Sequence, residues 1–224
     1  MATAVARQAR TLDTQKRLMR AMEKLSAEKG SDNVTVNELI QEAGQKNESA
    51  LQYHFKNKEG LLAAIHKSRF TQTQTKRREM LTEALAKNNS LSVRDLCHLM
   101  VDPTFQLCKS DPGHRQWANA WGAKNAAIVS PTLEEDTVDE GNSLQIIRTF
   151  LKASLPHLDD SMFEDRYLNV VRFSNLSMSN QTREKGGFRG KKADLFLSRL
   201  VDSIVGLFMA EVSDETEVYL KTAQ

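Results

Sequence analysis

The side chains best placed to do chemistry in this 224-residue sequence crowd between Lys46 and Lys58. Ser49, Gln52, Tyr53 and His54 supply hydrogen-bond donors and acceptors over six positions, and Lys46, Lys56 and Lys58 set three ammonium groups around them. Hydroxyl, amide and imidazole groups of this kind can read base edges, while ammonium groups hold neighbouring phosphates. That chemistry is recognition rather than bond breaking. The motifs of common catalytic sites are missing from the chain: there is no Gly-x-Ser-x-Gly elbow, no His-Glu-x-x-His and no dinucleotide-binding glycine pattern.

Two short helices and a turn must position these groups. Val36, Leu39, Ile40 and Ala43 share one face at helical spacing and predict a two-turn helix over 36–43. Gly44 supplies a residue that tolerates positive φ and stops that helix sharply. Asn47 is a good cap for a second helix, with Glu48 and Ser49 at its positive end. Ala50, Leu51 and Phe55 turn back toward the first helix, which leaves Ser49, Gln52, Tyr53 and His54 outward. This is the helix-turn-helix pattern, whose second helix fits a DNA major groove. Asn57 caps a third, longer helix beginning at Lys58, where free backbone N–H groups and the positive dipole end form an anion site.

The segment resembles the N-terminal DNA-binding domain of the tetracycline-repressor (TetR) family of transcription regulators. The matching residues are Thr35-Val36, Leu39-Ile40, Ala43-Gly44, Leu51, Tyr53-His54-Phe55, Asn57-Lys58-Glu59 and Leu61-Leu62, with the run YHFKNKEGLL the most specific part. From Gly44 to Phe55 is eleven residues, one more than the commonest pattern, and Gln45 stands where an apolar turn residue is usual. The resemblance implies an all-α protein made of a three-helix DNA-binding domain over 1–60 and a helical effector-binding and dimerisation domain over 61–224. It implies double-stranded DNA with a palindromic operator, a small-molecule effector and a second copy of the chain as partners, and no cofactor. Lys46, Asn47, Ser49, Gln52, Tyr53, His54, Lys56 and Lys58 are the expected DNA-binding residues. Lys58 takes the family's phosphate-holding role, and Tyr53 a phosphate or base contact. The alternative reading is a helical interaction or adaptor protein whose helix-turn-helix no longer binds DNA.

Composition is that of an ordinary globular chain, 40% hydrophobic and 27% charged with a net charge of +2. The charge is unevenly spread: residues 1–70 hold 12 Lys/Arg against 8 Asp/Glu, and residues 71–224 hold 19 against 21. A basic front on a slightly acidic body suits phosphate binding at one end. Cys97 and Cys108 match no zinc spacing and read as buried free thiols. The absence of a signal-type apolar segment and of any run of eighteen apolar residues predicts a cytoplasmic protein.

In chain order, residues 1–12 read as a flexible arm with Arg7 and Arg10. Leu18, Ala21, Met22 and Leu25 predict a first helix from Asp13 or Thr14 to Lys29, with Lys16, Arg17, Arg20 and Lys24 outward. The helix opened by Asn57 continues toward Ala86, exposed along the polar run at 71–78. Ser92 caps a helix that Pro103 is expected to kink or break, opening room for a ligand. Asp111-Pro112-Gly113 marks a turn before a helix bearing Trp117 and Trp121 and ended by Pro131. An acidic start at Glu134, Glu135 and Asp136 leads to a helix with Leu144, Ile147, Phe150 and Leu151, and Asp159 or Asp160 opens another. GGFRG at 186–190 lacks the Walker A spacing and reads as a flexible connector. The last helix, about 193–212, is apolar around half its circumference, enough for its own domain and a partner subunit. Met100, Phe105, Trp117, Trp121 and Phe150 are the expected effector-lining residues, with His98 and His114 as polar contacts.

Overall fold

The computed structural model describes residues 2–88, 90–128 and 143–222. Among these are ten α-helices, one short 3-10 turn and no strand. The expectations placed on Pro131 and on Glu134, Glu135 and Asp136 lie outside the described residues.

The head is built from α1 (Ala2–Lys29), the 3-10 turn (Ser31–Asn33), α2 (Val36–Glu42), α3 (Ser49–Phe55) and the start of α4 (Lys58–Lys87). Its core is small and apolar: Leu18, Ala21, Met22, Leu39, Ile40, Leu51, Leu61 and Ile65 are all buried. α1 starts at Ala2, so the expected flexible arm is helix instead. Ala2, Ala4, Ala6 and Ala9, interleaved with Arg and Gln, have high intrinsic helix propensity and need no apolar period to continue a helix already fixed downstream.

The body comprises α5 (Val93–Ser110), α6 (Pro112–Ile128), α7 (Ser143–Ser154), α8 (Asp160–Arg183), α9 (Gly190–Met209) and the terminal α10 (Asp214–Thr222). Ser92 and Asp95 form a capping box at the start of α5, and Asp159 accepts the Met162 N–H at the start of α8. Leu96, Met100 and Phe105 of α5 meet Ile147 and Leu151 of α7, Phe163 and Tyr167 of α8, and Leu200, Ile204 and Phe208 of α9 in one core. α6 lies along α8, and Ser179 there donates its hydroxyl to the Asn119 carbonyl at 3.2 Å.

α4 joins head and body. Leu61, Ile65, Arg69, Thr73, Arg77 and Leu81 are buried at every fourth residue. Each four-residue step rotates by about 40°, so the buried line winds about 200° around the helix from Leu61 to Leu81. It begins in the head core, where Leu61 and Ile65 sit, and ends in the body core with Leu81. The polar run at 71–78, expected to be exposed, therefore has a buried side formed by Thr73 and Arg77.

Pro103 does not break α5, which runs unbroken to Ser110. A proline has no N–H for the carbonyl four residues back, here Leu99, and its ring crowds that carbonyl. Arg77 of α4 supplies the missing donor, with Nε to the Leu99 carbonyl at 3.2 Å and Nη2 to the Met100 carbonyl at 3.3 Å. The expected opening at Pro103 is closed by a guanidinium. GGFRG is likewise not a flexible connector: it is a short turn into α9 whose Phe188 is buried, 5.5 Å from the Phe105 ring. α9 ends at Met209 rather than near Val212, and α10 follows where no helix was expected.

Candidate nucleic-acid interface

α2 is held before it is packed. The Thr35 hydroxyl accepts the Glu38 N–H, and the Glu38 carboxylate takes the Thr35 N–H at 3.0 Å, closing a capping box. Glu38 also binds Lys29 of α1 at 2.5 Å, and Lys24 binds Glu42 at 2.8 Å. Two ion pairs thus fix the direction of α2 against α1. Lys29, with Thr35 next, holds the Glu38 carboxyl down at about 2.

The turn that follows is set by backbone. Gly44 has φ +64°, its N–H reaches the Gln41 carbonyl at 3.1 Å, and the Gln45 N–H reaches Ile40 at 2.9 Å. This pair of bonds is the Schellman stop, and its left-handed residue is the one that glycine serves without strain. α3 begins at Ser49, whose N–H donates to the Asn47 side chain at 3.1 Å. Glu48 holds the N-cap position without a side-chain cap bond, and Asn47, expected there, lies one residue earlier and accepts this single N–H.

Leu51 anchors α3 in the head core. Ser49, Gln52 and Tyr53, at i, i+3 and i+4, stand exposed on its outer side, Tyr53 at 76%. Gln52 donates to Glu48 at 3.2 Å, and His54 is half-buried with its ring 4.8 Å from that of Tyr53, edge to face. Lys46 before α3 and Lys56 after it are exposed. Lys56 holds φ +68°, the one non-glycine residue with positive φ among the described residues, so the chain turns tightly from α3 into α4.

Lys58 is the exception in the expected set. Its ammonium donates to the Val34 carbonyl at 3.1 Å and lies 3.4 and 3.5 Å from those of Ser31 and Asp32. The carbonyls around the end of the 3-10 turn draw the cation inward. Lys58 ties the base of α4 to the approach into α2, rather than reaching outward as an open phosphate ligand.

Where the head meets the body, the structure gathers charges that the apolar patterns gave no reason to single out. Arg69 grips Glu23 of α1 with Nε and Nη2 at 2.6 and 2.8 Å. Its Nη1 reaches Asp111, at the α5–α6 turn, at 2.5 Å. Glu23 is 1% exposed. Burial raises its carboxyl above the ordinary value against the pull of Arg69. Asp111 also receives the Gly113 N–H at 2.8 Å. A Cβ on Gly113 would lie 2.3 Å from Arg69 Nη2, so only glycine leaves room for the guanidinium. His114, next along α6, is fully buried with no hydrogen bond to either ring nitrogen among the described residues, and burial pushes its pKa down to about 4. Trp117 packs against both cores and donates its indole N–H to His66 Nδ1 at 3.3 Å. The signal for Arg69 was the every-fourth-residue spacing from Leu61 and Ile65.

The expected effector-lining residues are not brought around one cavity. Met100 and Phe105 are core, Trp121 is buried beside His66, Trp117 bridges head and body, and Phe150 is 38% exposed on α7. None lines either of two cavities, of about 310 and 450 Å³. His98 pairs with Asp102 at 3.2 Å on the same helix. Cys97 and Cys108 are buried, and burial pushes both thiols up to about 12. No helix among the described residues is long and apolar enough to cross a membrane.

No curated protein matches this chain significantly. Residues 18–65 match the model of the bacterial regulatory proteins of the tetR family. The matched span runs from the first core residue of α1, Leu18, to the last head-core residue of α4, Ile65, and so takes in the whole helix-turn-helix. The exposed polar face of α3, the lysines at its two ends and that match agree: residues 18–65 are similar to the DNA-binding domain of tetR-family regulators, and the chain is a DNA-binding transcriptional regulator.

Proposed function

We propose that the protein is a homodimeric, cytoplasmic, ligand-responsive repressor that leaves a palindromic operator when a small molecule binds its body. The observation that carries this reading is the row Ser49, Gln52 and Tyr53 standing exposed on a short helix with Lys46 and Lys56 at its ends. In this reading α3 enters the major groove, Gln52 and Ser49 read base edges, Tyr53 and His54 lie against bases or backbone, and Lys46 and Lys56 hold phosphates. Lys58 positions the helices and touches backbone only through its exposed part. The functional division falls near residue 60, with 1–60 reading DNA and 61–224 binding effector and partner, while α4 runs through the boundary.

The coupling follows from how the head is attached. Arg69, Glu23 and Asp111 give α1, α4 and the α5–α6 turn one shared, directional set of contacts. A shift of α6 that moves Asp111 and Gly113 must either carry Arg69, and so the head, with it or break charged hydrogen bonds. Effector binding then selects a head spacing that no longer fits successive major grooves.

Selection of bound fragments from random and genomic DNA at stated salt tests the function. A palindrome with half-sites about one helical turn apart is the expected result. No enrichment, repeated on refolded protein freed of ligand, rejects it. Within the selected site, Gln52→Ala is expected to cost about 1–3 kcal/mol at particular base pairs and to relax preference there. Equal loss on cognate and random DNA removes Gln52 from the reading set.

A further inference from the structure

At the turn end of the α8–α9 hairpin lies an open groove of about 450 Å³. Its walls are apolar at Phe173 and Leu195, and Lys185, Lys192 and Arg199 ring it against a single carboxylate, Glu184. None of these three cations is in an ion pair among the described residues. At the far end of the chain, α10 is acidic in its first turn, with Asp214, Glu215 and Glu217. It leaves Val218 and Tyr219 58% and 63% exposed. No α10 residue lines the groove of its own chain. One chain thus holds an apolar, cationic groove and an apolar, acidic helix that do not meet.

We infer that α10 of a second copy docks in this groove, so that two chains exchange their C-terminal helices. The inference rests on the homodimer reading and adds a specific occupant to it. α9 presents Leu195, Arg199, Ser203, Gly206 and Leu207 outward along one side, with a leucine toward each end and Gly206 beside the second. A Cβ on Gly206 would meet nothing within 4 Å, so a second helix can approach there. Such a stripe is self-complementary when two copies of α9 lie antiparallel about a two-fold axis. The end of one α9 then lies beside the start of the other, about 30 Å along the helix, which is where the groove is. The chain leaving Met209 of the second copy arrives at Lys185 and Lys192. Its α10, about 13 Å long, places Asp214 and Glu215 among the cations and Val218 and Tyr219 against Phe173.

Sedimentation of the full chain and of a chain ending at Ser213 tests this. The full chain is expected to be a dimer, and the shortened chain to dissociate at least tenfold more readily. Glu215→Lys should weaken the dimer in the same direction, and Lys192→Glu added to it should restore part of the loss. A second measurement locates the contact: Ser177→Cys and Val218→Cys chains, prepared separately and mixed under mild oxidation, should form a disulfide-linked pair. The native Cys97 and Cys108 are buried and add no background. A monomeric full chain overturns the dimer reading and this inference together. A full-chain dimer unchanged by truncation and giving no mixed disulfide overturns the inference alone.

Discussion

α4 is buried twice, by two different chemistries. Its first turns put Leu61 and Ile65 into the apolar head core, while further along the same winding line Arg69 and Arg77 put guanidinium groups where side chains are again buried. The apolar half is non-directional: it holds the helix-turn-helix together but tolerates small shifts. The charged half is directional, because Arg69 must meet Glu23 and Asp111, and Arg77 must meet two carbonyls, at hydrogen-bond distance. One half makes the head a unit, and the other fixes the pose of that unit on the body. A regulator needs both, since a rigid reading head is useless to a signal unless its pose has discrete alternatives.

The comparison breaks most severely at Arg69. Arg69→Ala leaves Glu23 buried without its partner, and a loss of about 3–5 kcal/mol is expected in denaturant unfolding. Replacing the pair together, Arg69→Met with Glu23→Leu, should recover most of that stability while removing the proposed response of DNA binding to effector. If the double variant still responds fully, the junction is structural only. Ile65→Ala in the apolar half is expected to cost about 2–5 kcal/mol. Its effect should fall on the cooperativity of the head, read by amide exchange in α2 and α3, with coupling retained per folded molecule.

A smaller effect separates Arg77 from ordinary surface arginines. Arg77→Leu should cost about 1.5–3 kcal/mol, the worth of hydrogen bonds from a charged donor. In a Pro103→Ala background the cost should shrink, because an alanine at that position returns an N–H to the Leu99 carbonyl. Additive costs in the double-mutant cycle would show that Arg77 does not compensate the proline.

The mildest prediction concerns acid. His114 is neutral in the fold, with its pKa pushed down to about 4 by burial and then by Arg69, against an ordinary 6.5. The unfolded chain takes up its proton first, so this contribution to stability is complete above pH 6.5 and is lost as the pH falls toward 4. His114→Leu should flatten the stability profile in that window relative to the parent chain. Taking the difference between the two profiles cancels the opposite contribution of Glu23, whose raised carboxyl favours the fold on acidification. Parallel profiles would place the acid sensitivity elsewhere.

Much of the head was legible along the chain because its signals are local. Gly44 falls where a helix must stop, Asn57 caps α4, and Leu39, Ile40 and Leu51 mark the buried side. The polar residues between them then have only the outside left to occupy, and Ser49, Gln52 and Tyr53 are there. The body was legible as helices, from Ser92 and Asp159 caps and from apolar periods, but its joints were not. Pro103 looked like a break because the donor that rescues it is 26 positions earlier in the sequence, on another helix. Lys58 looked like a free cation because the carbonyls it meets belong to a 3-10 turn with no apolar pattern to announce it. The five aromatic and Met residues expected around an effector share composition with any helical core, and packing distributed them among the body core, the junction of head and body and the surface.

The sequence by itself determined what is short in range: helix periods, caps, the Gly44 turn and the outward polar face of α3, all fixed by interactions within a few residues. Only the tertiary structure decided which charges are buried and who satisfies them. Glu23, Arg69 and Asp111 are separated by more than forty residues at each step, and so are fixed by the packing of α1, α4 and the α5–α6 turn. A buried charge keeps its place only where a partner is delivered within hydrogen-bond reach, and that delivery is a property of the whole fold.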